Sequence, residues 1–301
     1  MQTLLVDIDT LARELNLGKD RLRIWEKRYG FPKPLRREDG QRLYPPEQVQ
    51  RLRQICHLLD GGARAGAVVP LSAAALTAQL QAHQQTEGQA LPHLRGEERL
   101  QALLAQLDQL PSPDSCPSLQ AWIEGHVEPL IAIVGQAWAA GQLPIWGEHL
   151  LTETLQRQLG QLLCRQPRNT TGPRVLLCTP PGEQHRLGML LAELVLNEAG
   201  ATTLCLGSNV PLDEICAAAQ GLDVDVIALS CSVRQKRATV MTLLEELKQK
   251  LPHHPIWLGG SGASHLRRLP QGVIAIRQLS DTRRLLKAMP LQVPHANRCA
   301  N

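Results

Sequence analysis

The residues best suited to chemistry lie in one turn, "PPGEQHRLGM", Pro180 to Met189, directly after the apolar run "RVLLCT". Glu183 stands two positions before His185, and Gly188 stands three after it. A carboxylate so placed can accept the proton on one imidazole nitrogen. That fixes the tautomer and leaves the other nitrogen basic enough to bind a metal. Two further sets of small residues follow apolar runs: Ser230 and Ser232 in "SCS", and Gly259 to Gly262 in "GGSG". They offer small side chains and backbone amides where a bulky ligand must come close. A fourth group stands apart, with nine residues between Trp138 and the pair Glu148-His149.

The elements around these residues follow from periodicity. Beyond residue 173 the runs "RVLLCT", "TTLCLG", "VIALSCS", "IWLGG" and "GVIAI" read as strands, and helices near 186–199, 211–220 and 235–250 separate the first four. Strands alternating with helices predict a Rossmann-like, doubly wound parallel sheet that holds its ligand at the carboxyl ends of the strands. The His185 turn, "SCS" and "GGSG" all fall at such ends. Ahead of the sheet, "SLQAWIEGHVEPLIAIVGQAWAAGQL" and "IWGEHLLTETLQRQLGQLLC" are amphipathic and long enough for a four-helix bundle. The fold class expected is therefore multidomain, α and α/β.

Composition bounds the rest. The 301 residues leave room for two or three domains with real cores. No leader-like segment opens the chain and no run approaches ~20 apolar residues, so a soluble cytoplasmic protein without a membrane partner is expected. Four of the eight cysteines (Cys178, Cys205, Cys216, Cys231) sit in apolar runs and no Cys-x-x-Cys occurs. Buried thiols are expected, not disulfides or a zinc site. Charge is uneven: residues 1–66 carry 13 Lys/Arg against 9 Asp/Glu, while the remainder carries 19 of each. Both tyrosines and the single Phe also lie in this first stretch. A basic, aromatic module ahead of a neutral body suggests nucleic-acid binding.

Within that module, "DIDTLARELNL" is a helix with Asp9 or Thr10 available as its cap, and "KDRLRIWEKRYG" a second helix after Gly18. Lys19, Arg21, Arg23, Lys27 and Arg28 can reach DNA from the second helix, while Leu22, Ile24 and Trp25 are expected to include its inward face. A short hairpin turning at Asp39-Gly40 and a helix from Pro46 follow. The stretch "LRIWEKRYGFPKPLRREDGQRLYPPEQVQRLRQI" resembles the helix–wing–helix signature of MerR-type regulators. The resemblance implies a dimer on a two-fold operator, with Arg36, Arg37 and Arg42 as wing contacts.

The acidic-x-His-x-x-Gly turn, the serines and the Gly-Gly pair together resemble the cobalamin-binding Rossmann-like module. By that resemblance His185 is the lower cobalt ligand and Glu183 its partner. Gly188 allows close packing, and Ser230, Ser232, Gly259 and Gly260 line the slot for the nucleotide tail. Trp138 with Glu148 and His149 resembles the pattern of the adenosylcobalamin-dependent CarH/LitR light-sensing repressors, where the Trp stacks over the adenosyl group. The implied protein is a light-responsive repressor and no enzyme. It binds operator DNA as a tetramer or other assembly of dimers in the dark, and releases it when light breaks the cobalt–carbon bond. One departure is Ala139, which stands where some family members carry a cobalt-capturing histidine; either His149 or His126 takes that place, or the photoproduct binds water or another ligand. A corrinoid methyl-carrier subunit, or a regulator that binds no cobalamin or another tetrapyrrole, are the alternatives. The expected segments are 1–75 (winged helix-turn-helix), 76–91 (linker), 92–170 (helical cap), 171–289 (cobalamin module) and 290–301 (tail).

Overall fold

A computed structural model describes residues 5–15, 17–60, 63–84, 96–167, 169–232, 235–263, 266 and 268–289. The chain divides into two compact units, Met1–Ser112 with Glu124–Thr154, and Pro113–Ile123 with Leu155–Asn301.

The first unit opens with β1 (Val6–Asp7), α1 (Ile8–Glu14) and α2 (Lys19–Tyr29). The Asp7 carboxylate, not Asp9 or Thr10, caps α1: it accepts from the amides of Asp9 at 2.8 Å and Thr10 at 2.9 Å. Asp7 also ends a strand too short to be read from sequence, so strand end and cap coincide. Helix α2 stops where Gly30 turns left-handed at φ 65°. Its buried face is Leu22 and Trp25, three residues apart. Ile24, expected among the inward residues, is 49% exposed, because it lies most of the way round the helix from Leu22. The wing is β2 (Leu35–Arg36) and β3 (Arg42–Tyr44), antiparallel, with β1 on the other side of β3.

Helices α3 (Pro46–Asp60), α4 (Ala65–Val68) and α5 (Ala73–Gln84) follow. One core gathers Leu11, Leu15, Leu22, Tyr44, Leu52 and Ile55 with Leu76 and Leu80 of α5. The expected linker therefore begins inside a packed helix, while 85–91 and the tail 290–301 lie outside the described residues. The helical stretch then runs through α6 (Gly96–Asp108), α7 (Leu119–Trp122), a π-helical turn over Ile123–Val127, α8 (Glu128–Ala139) and α9 (Ile145–Arg165). Trp138 and Ala139, at the end of α8, belong to the core of the first unit.

The second unit holds the sheet. Strands β4 (Arg174–Cys178), β5 (Thr202–Gly207), β6 (Val226–Ser230), β7 (Ile256–Gly259) and β8 (Val273–Ala275) pair in the order β5-β4-β6-β7-β8, all parallel. Helices α10 (Leu187–Glu198), α11 (Leu212–Gly221) and α12 (Arg237–Lys250) connect the first four strands, as expected from the sequence. A further helix, α13 (Leu279–Ala288), follows β8 and starts with a capping box of Gln278 and Asp281. Because β5 is an edge strand, Cys205 is exposed, contrary to the expectation of a buried thiol; Cys178, Cys216 and Cys231 are buried. The chain leaves β4 for β5 on one side and returns to β6 on the other. The crevice between β4 and β6 is thus the switch point, where such sheets bind ligands.

Candidate functional site

Glu183, His185 and Ser232 meet at that crevice. The Glu183 side chain is 1% exposed, and its two oxygens are divided between two loops. Oε1 accepts from the His185 amide at 2.9 Å and faces His185 Nδ1 at 2.8 Å. Oε2 accepts from the Ser232 amide at 2.9 Å and from its hydroxyl at 2.7 Å. Burial alone would raise the carboxyl pKa, yet the bonds from His185 and Ser232 hold it down at about 2. An ionised carboxylate at Nδ1 retains the proton there, so the imidazole lone pair sits on Nε2. The His185 ring is 47% exposed, so its outer edge stands at the surface of the unit.

The loop carrying this pair is pinned from the other side as well. The Thr179 hydroxyl donates to the Glu183 carbonyl at 2.6 Å and accepts from the Asn209 amide at 2.8 Å. Asn209, left-handed at φ 57°, returns its side-chain oxygen to the Gly182 amide at 2.7 Å. Sequence reasoning misses Thr179 and Asn209. The only local signal is an Asn just after a strand-ending Gly, a residue that tolerates φ > 0.

The small residues sort into two kinds. A Cβ on Gly260, at φ +83°, would run into the Cys231 carbonyl, and one on Gly262 would lie 2.7 Å from the Ser232 carbonyl. These two glycines are demanded by the close approach of the loops after β6 and β7. Nothing within the "GGSG" run itself distinguishes Gly262 as one of them. By contrast, a Cβ on Gly188 would meet only Ser230 Oγ at 3.5 Å, and one on Gly259 nothing nearer than 3.7 Å. Protein packing alone does not require those two to be glycine, whereas a large group lying over the strand ends would. Ser230 and Gly259 are register partners on β6 and β7, so both sit on the same rim.

The donor set is equally informative. Among the described residues, no group of three or more His, Cys, Asp and Glu could hold a metal ion. The cobalt of a corrin ring brings most of its ligands with it, so one imidazole held as His185 is would be a sufficient protein ligand. The residues present fit a cobalamin.

In the first unit, Trp138 is 7% exposed, with the Arg53 guanidinium 5.7 Å from its ring centroid. Glu148 accepts from the Thr152 hydroxyl at 2.9 Å and stands 3.2 Å from His149 Nδ1, on a largely exposed imidazole. The basic residues spread over α2 and the wing. Lys19 pairs with Asp9, and Arg23 with Asp20 at 3.1 Å. Arg21 is half-buried, Lys27 and Arg28 are exposed, and the Arg28 guanidinium lies 5.4 Å from the Tyr29 ring. Arg36 and Arg37 are exposed on the wing. Arg42 is not: its Nε donates to Glu26 at 2.8 Å, and Arg36 reaches the other Glu26 oxygen at 3.5 Å. Glu26, which sequence reasoning passes over, clamps the wing to α2. No helix among the described residues is long and apolar enough to cross a membrane.

Comparison with known proteins gives two family matches. Residues 6–70 match the MerR HTH family regulatory protein family, and residues 173–281 match the B12 binding domain. The chain is 31% identical over 268 residues to the HTH-type transcriptional repressor CarH of Myxococcus xanthus, spanning 85% of this chain and 89% of that protein. To the repressor CarA of the same organism it is 28% identical over 270 residues, spanning 87% and 89%. Among solved structures, the monomethylamine corrinoid protein of Methanosarcina barkeri aligns with a TM-score of 0.47 at 16% identity, over 64% of this chain and 90% of that one.

Proposed function

Because the chain belongs to the family of MerR-type transcriptional repressors with a B12-binding domain, we propose that it is an adenosylcobalamin-dependent, light-responsive repressor. It is a regulator and turns over no substrate. The observation that carries the proposal is the Glu183–His185 pair braced by Ser232 at the switch point. When bound, adenosylcobalamin supplies a cobalt that accepts an imidazole and a light-labile bond to its adenosyl group. His185 offers Nε2 to that cobalt, and Glu183 holds the ring in the required tautomer and orientation. Ser230, Ser232, Gly188, Gly259 and Gly260 leave space for the nucleotide tail. Trp138, Glu148 and His149 meet the adenosyl group.

On the DNA side, α2 enters the major groove, with Lys19, Arg21, Arg23, Lys27 and Arg28 for bases and phosphates and Arg36 and Arg37 on the wing. Arg42 acts there through Glu26 by setting the wing against α2. In the dark, a dimer or tetramer presents several such modules to one operator and gains affinity through effective concentration. Light removes the ligand's preference for the assembled state, and a ligand shifts an equilibrium only by such a preference.

The test uses DNA selected from a random pool by the protein loaded with adenosylcobalamin in the dark. Retention of that DNA in the dark and its release under green light are the expected results. Equal binding in both conditions overturns the light response while leaving the family assignment in place.

A further inference from the structure

Of the Trp138, Glu148, His149 set, Trp138 packs against the DNA-binding module. The Trp138 indole is buried in the same core as Leu52 and Ile55 of α3, beside the Arg53 guanidinium. The next residue, Ala139, accepts a 2.7 Å bond from the Gln50 side chain on α3 through its carbonyl. Gly135, one turn earlier on α8, lies against His57: a Cβ there would come 3.6 Å from the imidazole. Burial pushes the Arg53 guanidinium below its ordinary pKa, and the Glu14 and Glu148 carboxylates oppose that shift. The last turns of α8 are thus seated along α3.

The seat is imperfect. Among the described residues, Glu14 Oε2 and Arg53 Nε are buried without a hydrogen-bond partner. Unsatisfied polar groups of this kind make an arrangement costly to hold and ready to be exchanged for another.

We propose that the face of α3 formed by Gln50, Arg53 and His57 is a docking site for the Trp138 end of α8, and that this docking competes with the cofactor. The proposal rests on the reading that Trp138 meets the adenosyl group. One indole cannot be buried in two places. Cofactor uptake withdraws Trp138 from α3 and releases the DNA-binding module from the cap helix, while an empty sensor keeps the module tethered. The tryptophan is then both the sensor of the ligand and the latch on the reader of DNA. Linkage makes the effect reciprocal: whatever weakens the docking must strengthen cofactor binding by the same factor.

The test is hydrogen exchange and dark adenosylcobalamin titration of the full chain, wild type against Gln50→Glu. The new carboxylate faces the Ala139 carbonyl and should repel it, and Gln50 is itself assigned to neither cofactor nor DNA. The variant should exchange the amides of α8 about tenfold faster without ligand and bind adenosylcobalamin more tightly by a similar factor, a size usual for coupled sites. Adding adenosylcobalamin to wild type should speed exchange in α3. Unchanged exchange in the unliganded variant overturns the docking. Faster exchange in the variant, with cofactor affinity equal to wild type, overturns the competition. If neither protein takes up cobalamin but the variant still opens α8, the docking stands, the competition falls, and the cofactor reading falls with it. Trp138→Phe serves as a second variant should Gln50→Glu fail to fold; it should show the same faster exchange of α8.

Discussion

Ser232 gives Glu183 two bonds to a single carboxylate oxygen, one from its amide at 2.9 Å and one from its hydroxyl at 2.7 Å. The loop after β6 thereby holds the carboxylate that orients an imidazole on the loop after β4. His185 is aimed by a residue two loops away in the chain.

Removing only the hydroxyl, in Ser232→Ala, should leave the fold intact and weaken cobalamin binding. Losses of ~10–100-fold are usual for groups that orient a metal ligand. Glu183→Gln should cost at least as much, since the amide cannot accept all four bonds. An absorbance titration in the dark measures both.

The same carboxylate makes stability depend on pH. Its folded pKa of about 2 lies below the ordinary 4.5. The stabilisation is fully present above the ordinary value and is lost as the pH falls towards the folded one. Denaturant midpoints taken between those two values should fall less steeply with acidification in Glu183→Gln than in wild type. Parallel curves for the two proteins would show that the carboxylate is not held as the geometry implies.

Two glycines separate ligand space from fold. Gly188→Ala should fold normally, because its Cβ meets only Ser230 Oγ at 3.5 Å and Ala favours the helix by ~1 kcal/mol. Its cobalamin affinity should nevertheless drop. Gly260→Ala should lower the melting temperature, since φ is +83° and the Cβ strikes the Cys231 carbonyl. Thermal melts of both apoproteins and titrations of both holoproteins check the contrast.

The chemistry of the site is legible in the sequence because it is local: a carboxylate two residues from an imidazole needs no knowledge of the fold. The strand ends are legible from the alternation of apolar runs with helices. What stays hidden depends on neighbours distant in sequence. Nothing near Ser232 marks it as the donor to Glu183, because that requires knowing that β6 lies beside β4. Helical spacing places Trp138 on a helix but does not say which surface buries it, since Gln50 and Arg53 come from another part of the chain. Cys205 misleads because an apolar run on an edge strand looks like one in the sheet interior. Ile24 misleads because an apolar residue next to a buried Trp need not share its face.

On the DNA side, Glu26 and Arg42 should behave as one unit. Glu26→Ala and Arg42→Ala should each weaken operator binding, and the double variant should do little more, the signature of a shared interaction. Lys27→Ala and Arg37→Ala should add to one another, and the removal of each cation that meets a phosphate should lower the salt slope by roughly 1. Salt-dependent binding isotherms distinguish the two behaviours.

The central claim is that His185 holds the cofactor's metal. The most direct measurement is the dark absorption spectrum and affinity of adenosylcobalamin on wild type and on His185→Ala. Wild type should bind with the spectrum of an imidazole-ligated cobalt, and His185→Ala should bind weakly with that signature gone. Equal affinity and an identical spectrum in the two proteins would contradict it.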